Sequence, residues 1–346
     1  MQVFVSEYVC GGGWPEAEIS GSLAVEGRAM LTAIVDDLSR IPSVEVVTTW
    51  DARLGAPPFR GARTHRVKSP AEENALFERL AAESNATLVI APETDGVLFA
   101  RCQAVEAAGG RLLGPRSRAV ALCADKLRLA EHLRTAGVNT IATEVWDFSN
   151  QTAGQGGAPP LPFPIVVKPR DGAGSQLTRL IAGSAELEQF RGDHDAPTHA
   201  KLIIQPYVPG KPCSVALLIS PSGREIEVLP PAEQLLSADG RFTYRGGRVP
   251  SRTSDWSALQ TAAWGACQIV PGLRGYVGVD LIVPEQGPSN PIVVEINPRL
   301  TTSYLGYRAI ASENIAEWLL LPTRFRRPIQ WRQGSVEFDA AGRIVG

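Results

Sequence analysis

The stretch Pro291–Tyr304, PIVVEINPRLTTSY, begins as an apolar strand and then brings a carboxylate, an amide and a guanidinium together within five residues. Successive side chains of a strand alternate between its two faces, so Glu295 and Asn297 are expected on the same face. Because Pro298 cannot donate a ladder hydrogen bond, we expect Arg299 to stand where the chain leaves the sheet. The stretch therefore predicts a strand end that presents acid, amide and base to one shared space.

A second apolar run, YVGVDLIV at 276–283, precedes this strand across the connector PEQGPSNP. The length and the Pro and Gly content of the connector predict an antiparallel hairpin. Reflection about the midpoint of the connector places Asp280 opposite Glu295. The same reflection places Gly278 opposite Asn297 and predicts open space beside the amide. A slip of one residue would move the two acids to opposite faces.

Two carboxylates that face each other across a ladder repel, and apolar neighbours leave little water to screen them. A structural explanation requires a nearby Arg or Lys, or one proton shared by the acids. A functional explanation places divalent cations among the oxygens of Asp280, Glu295 and Asn297, a set that suits Mg²⁺ with its waters and substrate phosphates. The spacing favours neither explanation, because structural acid clusters also have perturbed pKa values.

Lys168 ends the apolar run PIVVKP, where an inward-facing ammonium needs an anionic partner. The small-residue loop Gly172–Ser175 follows and would let backbone N–H groups approach phosphate oxygens closely. A plain hairpin turn is the alternative for the loop, and a solvated helix position is the alternative for Lys126. The segment IIQPYVPGK (203–211) is either a proline-containing hinge or a strand edge whose backbone could bind adenine.

The composition restricts the class of protein. The chain has 346 residues, 44% of them hydrophobic and 20% charged, as in ordinary soluble proteins of two or three domains. A formal net charge of -2 argues against nucleic acid as a partner. The sequence contains no apolar run of membrane-spanning length and no signal-peptide pattern at its start, so a cytoplasmic location without a membrane partner is expected. Five scattered cysteines predict buried free thiols.

Apolar periodicity predicts an α/β protein that includes an α+β part, in three regions. Residues 1–115 alternate strands with helices, which predicts an open, Rossmann-like α/β domain. Residues 116–205 contain a helical linker and a small antiparallel unit of strands and a helix. Residues 206–346 form a lobe built on antiparallel strands, with a polar loop at 241–252.

Taken in order, these motifs resemble the ATP-grasp superfamily. The resemblance rests on Asp125-Lys126 before a helix that ends in Ala-Gly-Val, VVKP with its glycine loop, the QPYVPG hinge, VGVDLIV and VVEINPR, and it covers roughly residues 115–325. It implies an ATP-grasp fold, in which the second region is the lid subdomain and the third is the catalytic lobe. The residues before 115 suit the N-terminal domain of such enzymes.

The resemblance also implies a role for each motif. The residues implied to bind ATP are Lys126, Lys168, Gly172, Ala173, Gly174, Ser175, Gln205, Tyr207 and Val208. The lysines would contact the phosphates, the glycine loop would close as a lid, and the hinge would hold adenine. The residues implied to bind two Mg²⁺ ions, or Mn²⁺ instead, are Asp280, Glu295 as the bridging ligand, and Asn297. Arg299, with Lys168, would stabilise the transferred phosphoryl group.

Two positions depart from the pattern of the superfamily. Many members carry an acidic residue after the hinge that binds ribose, whereas 211–214 here reads KPCS. Some ligases also have an arginine two residues before the metal-binding aspartate, where this chain has Gly278. The ribose contact and the complete set of cationic groups around the phosphoryl group are therefore left without assigned residues.

The implied reaction is phosphorylation of a carboxylate by ATP, attack of an amine on the acyl-phosphate, and loss of phosphate. SEY with its glycines, LAVEGRAML and INPRLTTSYLGY resemble the members that join glutamate to tyramine or a similar aromatic amine, for C1-carrier cofactors of the methanofuran type. Positions after Arg299 and after the first strand predict an acceptor pocket, unless these are only loop and turn residues. The pocket residues would be Ser6, Glu7, Gly12, Thr301, Thr302, Ser303 and Tyr304.

Two other functions compete with this one. A ligase of the same fold could join other amino acids or a hydroxy acid, and a nucleotide-binding protein could close on ATP without catalysis. The set Asp280, Glu295, Asn297 and Arg299 argues against a pure binder, which has little need for metal ligands together with a phosphoryl clamp. The expected partners are a small carboxylate and a small amine, with a homodimer as the default oligomeric state.

Overall fold

The computed structural model describes residues 1–146, 159–172, 174–175, 177–192, 202–253, 255–286 and 290–345. The strands are β1 (Gln2–Glu7), β2 (Glu45–Asp51), β3 (Ala62–Val67), β4 (Ala86–Ile90), β5 (Glu144–Val145), β6 (Ile165–Pro169), β7 (Arg179–Ile181), β8 (Leu202–Pro206), β9 (Gly210–Ile219), β10 (Ile226–Val228), β11 (Ala232–Leu236), β12 (Tyr244–Val249), β13 (Gly275–Pro284), β14 (Ile292–Asn297) and β15 (Val336–Asp339). The α-helices are α1 (Gly21–Ser39), α2 (Pro70–Glu83), α3 (Val97–Ala107), α4 (Ser117–Ala124), α5 (Lys126–Thr135), α6 (Ser184–Gly192), α7 (Trp256–Gln268), α8 (Ser303–Ile310) and α9 (Glu317–Leu320).

The first sheet is parallel and has the strand order β3-β2-β1-β4. Its central strands are almost entirely buried, because helices cover a parallel sheet on both faces. The predicted open α/β layer is therefore confirmed. The strand β3, ARTHRV, is not predicted from the sequence, because a half-exposed edge strand rich in charge lacks the apolar pattern of its neighbours.

The second sheet is a small antiparallel one with the order β5-β8-β6-β7. Its core contains Ile165, Val167 and Ile204 from the strands and Leu187 from α6. This is the predicted small unit of strands and a helix. The domain limits at 115 and 205 remain a prediction, and the second of them falls one residue before the end of β8.

The third sheet is antiparallel, with the order β14-β13-β9-β11-β12-β15 and β10 paired to β9. The prediction of a polar loop at 241–252 is wrong, because β12 lies within it and pairs with β11 and β15. The two glycines of β12 obscure the strand pattern but are required by close packing. A Cβ on Gly246 would lie 2.0 Å from the carbonyl oxygen of Phe338, and one on Gly247 would lie 2.9 Å from that of Glu233.

The hairpin of β13 and β14 has the predicted register where the acids lie. Asp280 pairs with Glu295 and Gly278 pairs with Asn297, as the reflection places them. Beyond Asp280 the pairing shifts by one residue, which marks a β-bulge in β14. The prediction of open space beside the amide is wrong, because a Cβ on Gly278 would lie 2.7 Å from Cγ2 of Thr301.

A shared core joins the first sheet to the third. Buried side chains of β1 and α1 belong to the same cluster as Leu218 of β9, Tyr276 of β13 and Phe338 of β15. At its edge, Asp37 at the end of α1 accepts hydrogen bonds from the Tyr304 hydroxyl at 2.6 Å and from Nε of Arg308 at 2.9 Å. The helix α1 is thereby fixed against α8, directly after the strand that carries the acid–amide–base stretch.

We expect Tyr304→Phe to lower the free energy of unfolding by about 2 kcal/mol, because the hydrogen bond that it removes is buried and has a charged acceptor. Urea denaturation followed by circular dichroism measures the change. Tyr207→Phe is the matched control, since that hydroxyl makes no hydrogen bond to any described residue. Equal stability of the two variants would contradict the role given to the Tyr304 hydroxyl.

Candidate functional site

A cavity of about 1090 Å³ lies where the three sheets meet. Its wall includes α1, the connection from β4 to α3, the ends of β6 and β8, and the inner faces of β11, β13 and β14. This volume is at the upper end of the range for small-molecule sites in proteins. The cavity therefore has room for a large ligand, or for two ligands side by side.

Most of the residues singled out in the sequence line this cavity. They are Lys126, Lys168, Gly172, Gly174, Ser175, Gln205, Tyr207, Val208, Asp280, Glu295, Asn297, Arg299, Thr301, Thr302 and Ser303. They come from separate elements between α5 and α8, so only the tertiary fold brings them together. Ala173 lies outside the described residues.

Four residues expected at an acceptor pocket do not line the cavity: Ser6, Glu7, Gly12 and Tyr304. The chain after β1 forms a tight helical turn, Val9–Gly13, that folds back on the strand end. Glu7 accepts the backbone N–H of Cys10 at 2.5 Å, and burial raises the pKa of its carboxyl to about 7. Gly12 has a φ of 106° and no room for a Cβ, so these residues form the turn. Tyr304 instead bonds Asp37.

The opposed acids differ in their surroundings. Asp280 accepts hydrogen bonds from the side-chain amides of Gln234 at 2.9 Å and Asn297 at 3.0 Å. Burial, and then the charge of Glu295, raises the pKa of Asp280 to about 8. Burial would also raise the pKa of Glu295, but Lys126 and then Lys168 outweigh it and lower that pKa. Negative charge is therefore concentrated on Glu295.

Two lysines from different elements converge on Glu295. Nζ of Lys126 and Nζ of Lys168 each lie 3.9 Å from Oε2 of Glu295. Burial lowers the pKa of Lys168 to about 8, although Glu295 acts in the opposite direction. The structural explanation of the acids is thus satisfied in part, since basic partners are present. The distance of 3.9 Å from each lysine nitrogen to the Glu295 carboxylate leaves space between these charged atoms, on the side of the cavity.

The glycine loop is held at both of its sides. Nζ of Lys126 donates to the Gly172 carbonyl oxygen at 2.8 Å, and the Ser175 hydroxyl donates to the carbonyl of Phe242. Gly172 and Gly174 have φ values of 130° and 68°, which side-chain-bearing residues rarely adopt. The backbone N–H of Asp95, which follows β4 of the first sheet, donates to the carboxylate of Asp171, the residue before the loop, at 3.1 Å. The loop therefore covers the cavity from the second sheet to the first.

Asp125 links the start of α5 to the strand that precedes the loop. Its carboxylate caps α5 by accepting the N–H of Arg128 at 3.1 Å, and it binds the Arg170 guanidinium through two bonds of 2.7 and 2.8 Å. Burial would raise the pKa of Asp125, but the hydrogen bonds from Arg170 and Arg128 lower it. Lys126 follows directly and is oriented by this cap.

The hinge between β8 and β9 forms an apolar side of the cavity. The Tyr207 and Phe242 rings lie 6.2 Å apart between centroids, and Ile282 and Val208 are also part of the lining. Gln205 is 2% exposed, and its amide donates to Thr143 at 2.9 Å. A flat heterocycle fits such a wall by stacking and apolar contact.

Arg299 leaves the ladder after Pro298 and pairs with Glu93, which follows β4 of the first sheet. Its Nε lies 2.9 Å from Oε1 of Glu93 and its Nη2 lies 3.2 Å from Oε2. Burial would lower the pKa of Arg299, but Glu93, and then Glu26 and Glu295, raise it. Arg299 is therefore surrounded by acids from two regions: Glu295 of the hairpin, and Glu93 and Glu26 of the domain that contains the first sheet.

Glu93 and Glu26 also line the cavity, although no sequence pattern predicts them as site residues. Glu93 follows β4 at the carboxyl end of a parallel strand, and that position alone could have singled it out. Glu26 lies inside the helical pattern of α1, where a polar residue looks like an ordinary exposed position. It belongs to LAVEGRAML, a stretch that carries part of the resemblance, but helical spacing alone gives it no role.

The Thr-Thr-Ser tail meets the cavity only in part. Thr301 lies 3.1 Å from the Tyr276 hydroxyl, and Ser303 lies 3.1 Å from the Ser214 hydroxyl, so both side chains have internal partners. The tail becomes the start of α8 at Ser303, which turns the following residues toward α1. Thr302 remains at the cavity wall with both neighbours.

Comparison with known proteins adds family matches to this geometry. Residues 123–303 match a family model described as an ATP-grasp domain, and residues 44–120 match one described as a pre ATP-grasp 3 domain. The tyramine–L-glutamate ligase of Methanocaldococcus jannaschii is 26% identical over 316 residues, which is 91% of this chain and 86% of that protein. A D-alanine–D-alanine ligase of a Synechococcus species is 28% identical over 199 residues, 56% of this chain and 59% of that protein.

Among solved structures, an ATP-grasp superfamily protein from Archaeoglobus fulgidus superposes with a TM-score of 0.72 at 25% identity. The superposition covers 98% of this chain and 92% of that one. The likeness thus extends over all three sheets. In the described part of the chain, no helix is long and apolar enough to cross a membrane. All five cysteines are free and buried, as predicted.

Proposed function

Because the chain belongs to the ATP-grasp family, we propose that it is an ATP-dependent, ADP-forming ligase that phosphorylates a carboxylate and joins it to an amine. The observation that carries the proposal is the convergence of Lys126 and Lys168 on Glu295 opposite Asp280, at one end of the cavity. Positive charge there suits polyphosphate, and the paired acids suit the cation that accompanies it. The predicted fold class, family and class of enzyme are confirmed.

ATP lies along the second sheet in this proposal. The two lysines contact its phosphates, with Gly172, Gly174 and Ser175 of the glycine loop over them as a lid. The adenine occupies the apolar wall at Tyr207 and Val208. The Gln205 side chain acts by holding this wall through Thr143 rather than by reading the base.

The residues at the hairpin fit Mg²⁺ as a partner of ATP. Among the described residues no group of three or more His, Cys, Asp and Glu side chains forms a complete metal site. Asp280, Glu295 and the amide oxygen of Asn297 offer an incomplete all-oxygen set, and Mg²⁺ commonly takes one or two carboxylates and completes its shell with phosphates and water. Held there by Asp280, Glu295 and Asn297, Mg²⁺ or Mn²⁺ would neutralise phosphate charge. Burial, and then the charge of Glu295, raises the pKa of Asp280, and a bound cation would offset this cost of burying two acids together.

Catalysis then rests on positioning and charge rather than on a protein nucleophile. Arg299 stabilises the phosphoryl group in transfer and the acyl-phosphate, while Glu93 fixes its guanidinium by the bidentate pair. The carboxylate oxygen attacks the γ-phosphorus, ADP leaves, and the amine attacks the acyl carbon to release phosphate. The glycine loop excludes water, which would otherwise hydrolyse the acyl-phosphate.

For the substrates we favour glutamate and an aromatic amine such as tyramine. The match to the M. jannaschii tyramine–L-glutamate ligase extends over 91% of the chain, whereas the match to the D-alanine–D-alanine ligase covers 56%. Thr301, Thr302 and Ser303 border the acceptor side. A ligase for other amino acids is the second candidate, favoured by that shorter match. Cytoplasmic location, a homodimer and the lack of a nucleic-acid partner remain predictions.

A panel of carboxylates and amines tests the proposal through ADP release with Mg²⁺. We expect release only when both substrates are present, with L-glutamate and tyramine as the most active pair. Activity with another pair would keep the ligase and change the substrates. No release with any pair would contradict the ligase and favour a non-catalytic ATP-binding protein.

A further inference from the structure

Glu26 is the residue of α1 that lines the cavity. It lies in the second turn of α1, and the first turn of this helix reaches the glycine loop, since a Cβ on Gly174 would lie 3.9 Å from Cδ2 of Leu23. Burial raises the pKa of Glu26 and the charge of Arg299 acts against that rise, so these two residues of the cavity lining lie within electrostatic reach of each other. It is therefore placed near the proposed phosphoryl clamp and not among the proposed metal ligands.

Glu26 differs from the other carboxylates around Arg299 in having no fixed partner. Glu93 is held by Arg299 itself, Asp280 by two amides, and Glu295 by two lysines. Glu26 makes no hydrogen bond or ion pair with any described residue. Glu26 is half-buried and lines the cavity, where a ligand can supply the hydrogen-bond donor that the protein does not.

The position of Glu26 is fixed by packing at both ends of α1. Gly27 lies so close to β1 that a Cβ there would be 2.5 Å from Oε1 of Glu7. At the far end, Asp37 binds Tyr304 and Arg308 of α8. The helix cannot shift without disturbing these contacts with β1 and α8. Such rigid support is what a catalytic constellation needs.

The surroundings of Glu26 suit a group that takes up a proton near neutral pH. Burial raises the pKa of Glu26 to about 7, and Arg299 acts against that rise. A general base is most effective when its pKa lies near the working pH. Tyr244 also lines the cavity, and burial raises the pKa of its hydroxyl. The negative charges of Glu26 and Asp280 raise this pKa further, whereas the hydrogen bond with Thr302 lowers it. Tyr244 therefore lies within electrostatic reach of both carboxylates.

We propose that Glu26 is a catalytic residue that binds the amino group of the incoming amine and takes a proton from its nitrogen. The inference rests on the proposed ligase function and names the acceptor side of the same cavity. An amine substrate arrives as an ammonium, which is the donor that Glu26 lacks. Thr302 and Tyr244 would lie beside it.

The step balances as follows. The ammonium gives one proton to the Glu26 carboxylate, and the nitrogen lone pair forms the C–N bond at the acyl carbon. The bond between that carbon and the phosphate oxygen breaks, and its electron pair leaves with phosphate. The second proton of the nitrogen leaves with the phosphate, so the products are the amide, hydrogen phosphate and protonated Glu26.

The test compares two nucleophiles in Glu26→Gln, with the most active pair of the panel above, L-glutamate and tyramine being the expected one. Hydroxylamine is uncharged at neutral pH and needs no base to lose an ammonium proton. We expect the kcat/KM for tyramine to fall about 100-fold, with the KM for ATP unchanged and hydroxamate formation at the wild-type rate. Glu78→Gln, at an exposed position of α2, is the control and should match the wild type in both reactions.

Each outcome decides between distinct explanations. Loss of hydroxamate together with amide would place Glu26 in carboxylate activation or folding, and normal rates of both would make it a bystander; either result overturns the inference. Glu26→Asp keeps the charge and should retain more amide synthesis than Glu26→Gln, so equal loss would also overturn it. A wild-type chain that forms no hydroxamate would overturn the proposed function, and the role of Glu26 with it.

Discussion

Glu295→Gln should lower ATP turnover by about 10³-fold or more, measured as ADP release with both substrates. The change keeps the shape of the side chain but removes the negative charge on which Lys126 and Lys168 converge at 3.9 Å. It also removes the proposed bridging metal ligand. The two ammonium groups would then repel each other where the phosphates must bind.

Glu285→Gln is the matched control for this variant, because Glu285 is exposed at the end of β13 in the same hairpin. It should keep wild-type turnover. Circular dichroism and the midpoint of thermal unfolding should show that both variants fold. Near-normal ADP release by a folded Glu295→Gln protein would remove the metal assignment.

Arg299→Ala should affect both catalysis and stability. We expect turnover to fall about 10³-fold, because a guanidinium that stabilises charge in the transition state is lost. We also expect the free energy of unfolding to fall by about 3 kcal/mol, because Glu93, only 5% exposed, would be left without its bidentate partner. Urea denaturation and ADP release measure the two effects.

The double variant Glu93→Gln/Arg299→Ala separates these effects. Removing the charge of Glu93 as well should restore most of the lost stability, since no unpaired buried charge then remains. Turnover should stay low, because the guanidinium is still missing. Recovery of turnover in the double variant would mean that Arg299 acts only through the state of Glu93.

The hairpin that carries the acids could be predicted because its signals are local. Alternation places Glu295 and Asn297 together, and a proline ends the ladder before Arg299. Reflection about the connector predicts the correct partner for Asp280. The β-bulge next to that pair shifts the pairing of Leu281 and Ile282, which lie nearer the connector, by one residue. A bulge depends on the packing of neighbouring strands and leaves no consistent mark in a single sequence.

The rest of the site depends on contacts between distant segments. Glu93 meets Arg299 across 206 positions of the chain, and no pattern near either residue indicates the pair. The acceptor residues expected after β1 failed for a related reason, because Gly12 is required by packing: a Cβ there would lie 2.2 Å from Cγ2 of Val67. The strand β12 was not predicted because its glycines suggest a turn, whereas they allow close packing against the backbones of the neighbouring strands.

Transfer of oxygen from the carboxylate substrate to the released phosphate shows whether an acyl-phosphate forms. The carboxylate substrate is labelled with ¹⁸O in both carboxyl oxygens, and the phosphate released with the amide is analysed by mass spectrometry. Because the labelled oxygen bridges carbon and phosphorus until the amine attacks, each phosphate should contain one ¹⁸O atom. Phosphate without the label, formed at the same rate as the amide, would contradict the account.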